Sequence, residues 1–206
     1  IKNKNLQTVN GIPLVARAIM TAQNCITIRD VYVSSDSPEI LAVAEKFGAK
    51  SHLRSEFSAS DDASTEDALD DFLTRFDEEE CPELLVYIQC TSPFVSSSEI
   101  ESAIDIIYEQ KQIDTIFSAK EFHGFVWENS LKGYSSKGAN HDHLSQRKRR
   151  QDLDHEYLLE DGAFYILRTS EYLKNKNRFG RKPFAFKSKL MHYSEIDEPS
   201  DLDMCR

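Results

Sequence analysis

The run Leu84-Leu-Val-Tyr-Ile-Gln89 constrains the fold more than any other stretch. Its near-continuous apolarity predicts a central strand buried on both faces, and such a strand needs helices packed on each side of its sheet. The polar Cys90-Thr-Ser-Pro93 predicts a turn at its carboxyl end. Around this strand the pattern alternates. Asp30 to Ser34 and Thr115 to Ala119 read as strands. Helices are expected from about Leu14 to Cys25, from Glu39 to Phe47, through Ala68, Leu69, Phe72, Leu73 and Phe76, and from Ser97 to Gln110. Pro13 suits a first helical turn, Gly48 a helix stop, and Ser64 or Thr65 a cap. Phe164 to Leu167 and Lys189 to Tyr193 resume the sheet, and Pro199 opens a terminal helix. The alternation predicts an α/β fold, Rossmann-like, with a mostly parallel sheet flanked by helices and ligands at the carboxyl ends of its strands.

With 206 residues, 40% hydrophobic and 29% charged, one soluble domain over residues 1–206 is expected. No apolar run approaches the roughly 20 residues of a membrane span. The formal charge of -10 argues against nucleic acid, which wants a broadly basic face. Cys25, Cys81, Cys90 and Cys205 have no zinc-like spacing and read as reduced structural thiols. From about Lys120 to Gln151 the alternation breaks, and a connection of that length reads as a lid or an oligomer arm.

Arg147, Lys148, Arg149 and Arg150 lie at the end of that arm, a cationic island in an acidic chain. Arginine forks match phosphate and carboxylate, so converging arginines can hold a triphosphate; a solvated loop or a nuclear-import signal is the alternative. Glu195-Ile-Asp197 sets two acids about an apolar residue, a workable Mg²⁺ site with substrate phosphates or simply caps for the next helix. Asp36 reads as a turn residue. Gln89, Thr91 and Ser92 leave the central strand with an amide and two hydroxyls able to read a base or a sugar, and Arg54 is ambiguous. His123 and Trp127 read as packing or lid residues.

Taken in order, Lys4-Asn5, Val33-Ser-Ser-Asp36, Asp62-Ala-Ser-Thr65, Ile88-Gln-Cys-Thr-Ser-Pro93, Arg149-Arg-Gln-Asp152, Asp161-Gly-Ala-Phe-Tyr165 and Glu195-Ile-Asp197 resemble the N-acylneuraminate cytidylyltransferases, the CMP-sialic acid synthetases. The resemblance implies a nucleotidyltransferase-type fold and transfer of CMP from CTP to N-acetylneuraminic (sialic) acid, with release of pyrophosphate. It implies Arg149 and Arg150 as catalytic residues. Lys4, Asn5, Arg54, Ser64, Gln89, Thr91, Ser92, Gln151, Gly162 and Tyr165 become substrate-binding positions, and Asp197 and Glu195 the holders of Mg²⁺. The family usually has Asp where Glu195 stands, and Glu is one methylene longer. The arm, about 120–151, resembles a dimerisation region, so a homodimer or dimer of dimers is implied. Family members open with an apolar strand and an Ala-Arg-x-x-Ser-Lys loop, and Ile1-Lys-Asn-Lys-Asn5 resembles the tail of that loop, so an N-terminally shortened domain is expected. Another nonulosonic or ulosonic acid as substrate, or a non-catalytic nucleotide-binding relative, stays open. The basic run points to the nucleus or cytoplasm, and a leader ahead of Ile1 would instead point to the secretory pathway or Golgi.

Overall fold

The computed structural model describes residues 1–130, 133–136, 140–153, 155–189 and 195–206. After a 3₁₀ turn at Lys4–Leu6 come β1 (Thr8–Val9), β2 (Ile12–Pro13), α1 (Leu14–Gln23), β3 (Tyr32–Ser35), α2 (Pro38–Lys46) and β4 (Lys50–Leu53). Then follow α3 (Thr65–Leu73), β5 (Leu84–Ile88), α4 (Ser97–Glu109), β6 (Thr115–Glu121), β7 (Glu128–Ser130) and β8 (Gly133–Ser135). A second 3₁₀ turn at Arg150–Asp152 leads to β9 (Leu158–Arg168), α5 (Thr169–Asn175), β10 (Pro183–Lys187) and α6 (Pro199–Cys205).

The main sheet has the order β10-β6-β9-β5. β10 runs parallel to β6, whereas β9 runs against both β5 and β6. Three strands therefore share one direction and β9 is reversed between them. β3 and β4 pair in parallel as a separate two-stranded sheet. The expectation of β5 as the central, doubly buried strand is corrected here. Among the described residues β5 pairs on one side only, with β9, and its five residues are half-buried. The strand covered on both faces is β9, where Phe164, Tyr165, Ile166 and Leu167 are each at most 2% exposed.

Alternation along β9 explains that burial, because successive side chains point to opposite faces. Phe164 and Ile166 face a cluster with Ile100, Ala103, Ile104 and Ile107, the inward stripe of α4. Tyr165 and Leu167 face Leu69, Phe72 and Leu73 of α3 with Tyr172 of α5. A third cluster packs Val15 and Ile19 of α1 against Ala44 of α2, with Val31 and Val33 beside them.

The local signals behave as their chemistry requires. Ser64 caps α3 in a reciprocal capping box with Asp67, Ser37 caps α2 ahead of Pro38, and Gly48 takes φ +82° after α2, a conformation glycine adopts without a Cβ clash. Pro199 opens α6 as expected. The expected strand Lys189 to Tyr193 falls largely outside the described residues, and the strand found beforehand is β10. The arm contains the β7–β8 hairpin, which the sequence does not announce. All four cysteines are free thiols, as expected. No described helix is long and apolar enough to cross a membrane.

Ile166 has no exposed surface. Ile166→Ala is expected to lower stability by about 2–5 kcal/mol through lost burial and an unfilled cavity. A urea titration should show an earlier midpoint at unchanged slope; a shift worth under about 1 kcal/mol would contradict the placement of β9 at the core.

Candidate active site

β5 ends where the sequence predicts a turn. Ser92 N donates to Gln89 O at 3.2 Å, and Gln89 N donates to Ala163 O at 3.1 Å, so the turn is tied to β9. The reversal of β9 brings its amino-terminal half to this edge, with Gly162 beside Gln89. Gly162 holds φ +67°, and a Cβ there would lie 3.0 Å from Gln89 Oε1 and 3.7 Å from Glu195 Oε1. The amide and the carboxylate thus both stand over a bare backbone. Next to them Asp161 Oδ1 accepts from the Ser118 hydroxyl and from Ala163 N, while Ser118 Oγ accepts from Phe164 N. The register shift in the β6–β9 pairing falls between Phe117 and Ala119, so the Ser118 hydroxyl satisfies a backbone donor at an irregular point of the ladder. Lys120 stands close to Asp161 and Glu195. Burial pulls its ammonium below the usual lysine range, and these two carboxylates oppose the shift.

Glu195-Ile-Asp197 is pinned by its middle residue. Ile196 is fully buried against Val9, Leu14 and Leu202, and its N–H donates to Thr91 O at 2.8 Å. Glu195 and Asp197 therefore flank one anchor. Asp197 Oδ1 meets Lys4 Nζ at 2.9 Å, which seats the Lys4–Leu6 turn, and with it the half-buried Asn5, beside the acid pair. The pair is partly exposed, so its own stabilisation is at most about 1 kcal/mol. Asp201 at the start of α6 accepts from the backbone N–H groups of Asp197 and Glu198, which hold its carboxyl below the usual carboxylate range. Two carboxylates at one edge are the donor set Mg²⁺ takes when phosphates complete its shell, and Glu195 and Asp197 are the residues that could hold it. Among the described residues no group of three or more His, Cys, Asp and Glu is arranged for a metal.

At the carboxyl end of β5, burial pushes the Tyr87 hydroxyl above the usual range, and the nearby Gln89 and Thr65 side chains oppose the shift. Arg54 is near enough for its charge to act on both Tyr87 and Cys90, which places it near the carboxyl end of β5. Burial also raises the Cys90 thiol to about 11, which leaves it a neutral packing residue.

The structure brings Lys4, Asn5, Gln89, Thr91, Gly162, Glu195 and Asp197 to one edge, with Ser92 in the same turn and Arg54 close to the end of β5. It distributes the others differently. The Ser64 hydroxyl accepts from Asp67 N and donates to Asp67 Oδ2, so it is committed to its helix cap. Tyr165 is a core residue whose hydroxyl donates to Glu160 and whose ring lies under the Arg178 guanidinium. Arg149 is exposed and paired with Asp152 of its own loop at 2.7 and 3.1 Å. The Arg150 side chain lies outside the described residues. Gln151 is exposed and lines an open cleft with His123, Leu153 and His155. Asp36 is exposed just after β3. Trp127 packs against His141 and His143, and Arg147 stacks on Phe125 at 4.3 Å, so packing accounts for both. Lys120, Ser118 and Tyr87 belong to the edge and were not anticipated. In sequence Lys120 marks only the start of the irregular arm, and Tyr87 only one position of an apolar strand.

The sequence matches the family described as Cytidylyltransferase over residues 1–203. The chain belongs to that family. Within it, the chain is 32% identical over 202 residues to an N-acylneuraminate cytidylyltransferase of Oncorhynchus mykiss, covering 97% of this chain and 44% of that protein. It is 31% identical over 200 residues to N-acylneuraminate cytidylyltransferase A of Danio rerio, covering 96% and 45%. This cytidylyltransferase-family chain spans about half the length of these curated relatives. In fold it is similar to CMP:2-keto-3-deoxy-manno-octonic acid synthetase complexed with CTP, at TM-score 0.70 and 14% identity, covering 99% of this chain and 90% of that one. It is also similar to the 4-diphosphocytidyl-2C-methyl-D-erythritol synthase of Anaerococcus prevotii, at TM-score 0.62 and 12% identity, covering 96% and 86%. The nucleotidyltransferase-type α/β fold expected from the sequence is the one observed.

Gly162→Ala is expected to cost about 1–2 kcal/mol in left-handed backbone strain and to push Gln89 away from Glu195. Thermal unfolding should show the loss, and an unaltered midpoint would mean that the chain relaxes out of this conformation.

Proposed function

We propose that the protein carrying this chain transfers CMP from CTP to N-acetylneuraminic acid, with release of pyrophosphate. The observation that carries the reading is the edge where Gln89 and Glu195 stand over Gly162 and Asp197 meets Lys4. It supplies amide recognition, two acids for a cation and a lysine for phosphate within one rim. The names of the relatives supply the sugar class.

In this reaction the anomeric hydroxyl oxygen of the sugar acid forms a bond to the α-phosphorus of CTP, and the bond from that phosphorus to the β-phosphate bridging oxygen breaks. The departing pyrophosphate carries the electron pair, and the hydroxyl proton passes to solvent or a nearby carboxylate. The main work is positioning and charge neutralisation. Mg²⁺, held by Asp197 and Glu195, would neutralise the triphosphate when bound. Lys4 and Lys120 face phosphate oxygens from two sides, and Gln89 and Arg54 read the substrate at the end of β5. Arg149 acts on the triphosphate from the arm, which requires it to exchange Asp152 for a phosphate, and Arg150, next to it in sequence, shares the catalytic role. A homodimer, in which the arm of one copy completes the site of the other, agrees with an Arg149 that is exposed and pairs with Asp152 of its own loop. Residence in the nucleus or cytoplasm goes with the basic run ending at Arg150.

The test incubates the full protein with CTP, Mg²⁺ and a panel of sugar acids and measures pyrophosphate. N-acetylneuraminate should be the best substrate. Release with a different ulosonic acid alone would reassign the sugar, and release with none would refute the reaction. Arg149→Ala should lower kcat by on the order of 10²–10³; an unchanged rate would remove Arg149 from the chemistry.

A further inference from the structure

The side chains behind Arg54 form a directed hydrogen-bonded chain that the site described above leaves unused. Arg54 Nε donates to Ser34 Oγ at 3.1 Å, so the Ser34 hydroxyl hydrogen turns to another acceptor. His52 Nδ1 lies 2.9 Å from Ser34 Oγ, and in the Nε2–H tautomer it is that acceptor. The neutral ring then carries its hydrogen on Nε2. Nε2 faces Asp71 Oδ2 at 3.9 Å. Asp71 is fixed in turn by Ser55 N at 3.0 Å and by the Ser58 hydroxyl at 2.7 Å. His52 is 6% exposed and lies edge-on to Phe72 at 5.5 Å, so the ring is locked between β4 and α3.

We propose that His52 is a positioning residue for Arg54: as the Nε2–H tautomer it fixes the Ser34 hydroxyl, which holds Arg54 Nε and aims the two terminal guanidinium nitrogens at substrate beside Gln89. This role rests on the proposed reaction, in which Arg54 contacts substrate. A histidine suits the place because it can accept at Nδ1 while its Nε2–H faces the Asp71 carboxylate from the same buried ring. Leucine offers neither, and lysine offers no acceptor.

The charged groups facing the ring are Asp71 of α3, Arg75 just beyond α3, and Arg54 after β4. Burial lowers its pKa first, Asp71 opposes, and the two arginines add to the lowering. Protonation would give Ser34 Oγ a second donor and leave its own hydrogen without His52 to receive it. The folded pKa lies below the ordinary histidine value, so the unfolded chain binds the extra proton more readily. The stability held by this ring, and the aim of Arg54, are therefore complete above the ordinary histidine range and decline as pH falls through and below it.

The test uses the full protein. Nitrogen-15 NMR near neutral pH should show His52 protonated on Nε2 and bare on Nδ1. His52→Leu should raise, by about tenfold, the KM of whichever substrate responds to Arg54→Ala, the loss expected for one hydrogen bond, with a smaller change in kcat. His52→Asn, whose amide oxygen places an acceptor near Nδ1, should recover most of that loss. In an Arg54→Ala background His52→Leu should have no further effect. An Nδ1–H tautomer, or a His52→Leu effect of equal size in both backgrounds, overturns the relay. If the wild type releases no pyrophosphate with any acid, the reaction fails independently. The Arg54 Nε–H resonance then decides the relay: it should shift in His52→Leu, and a fixed resonance overturns it.

Discussion

The pairing of β9, reversed, between β5 and β6 is the constraint on which the rest depends. Its two faces hold the two largest clusters together, with Phe164 and Ile166 turned to α4 and Tyr165 and Leu167 turned to α3. The reversal also has a chemical consequence. An antiparallel partner presents its amino-terminal half to the carboxyl end of its neighbour, so Ile88 opposite Phe164 places Asp161 and Gly162 beside Gln89. A parallel strand in that slot would have delivered the opposite end of its sequence. One strand direction thus sets both the core and the composition of the rim.

What the sequence disclosed follows from how local each cause is. Helix α4 was legible because Ile100, Ala103, Ile104 and Ile107 recur at helical spacing and no tertiary contact is needed to see it. The capping box at Ser64 and the stop at Gly48 were legible for the same reason. The direction of β9 was not, because strand polarity leaves no mark on composition. That is why Leu84–Ile88 read as the central strand although the more deeply buried one is β9. β10 was missed because Pro183-Phe-Ala-Phe-Lys187 is short and flanked by cations, and its burial comes from pairing with β6.

The rim was legible in part for a similar reason. Glu195-Ile-Asp197 announced an acid pair about a buried residue, and Ile196 is fully buried. The partners of those acids could not be read. Lys4 lies almost the whole chain away from Asp197, and Lys120 gains its setting only through burial beside Asp161 and Glu195. Ser64 and Tyr165, assigned by resemblance, turn out to spend their hydroxyls on Asp67 and Glu160, interactions that hold the fold.

The rim resolves the difficulty raised by a chain of formal charge -10 for which a triphosphate substrate is proposed. It does not present a bare cationic surface. It sets Lys4 against Asp197, and Lys120 close to Glu195 and Asp161. In the proposed reaction the incoming ligand carries both signs, a polyanion with its divalent cation. Each half of a lysine–carboxylate pair would then find a new counterpart, the lysine a phosphate and the carboxylate the cation. Binding exchanges ion pairs and leaves no charge uncompensated, which matters most at Lys120, where burial makes an unpaired charge costly. An acidic surface elsewhere is compatible with such a site, because the exchange is decided within a few ångströms by named partners, whereas charges beyond about one Debye length are screened.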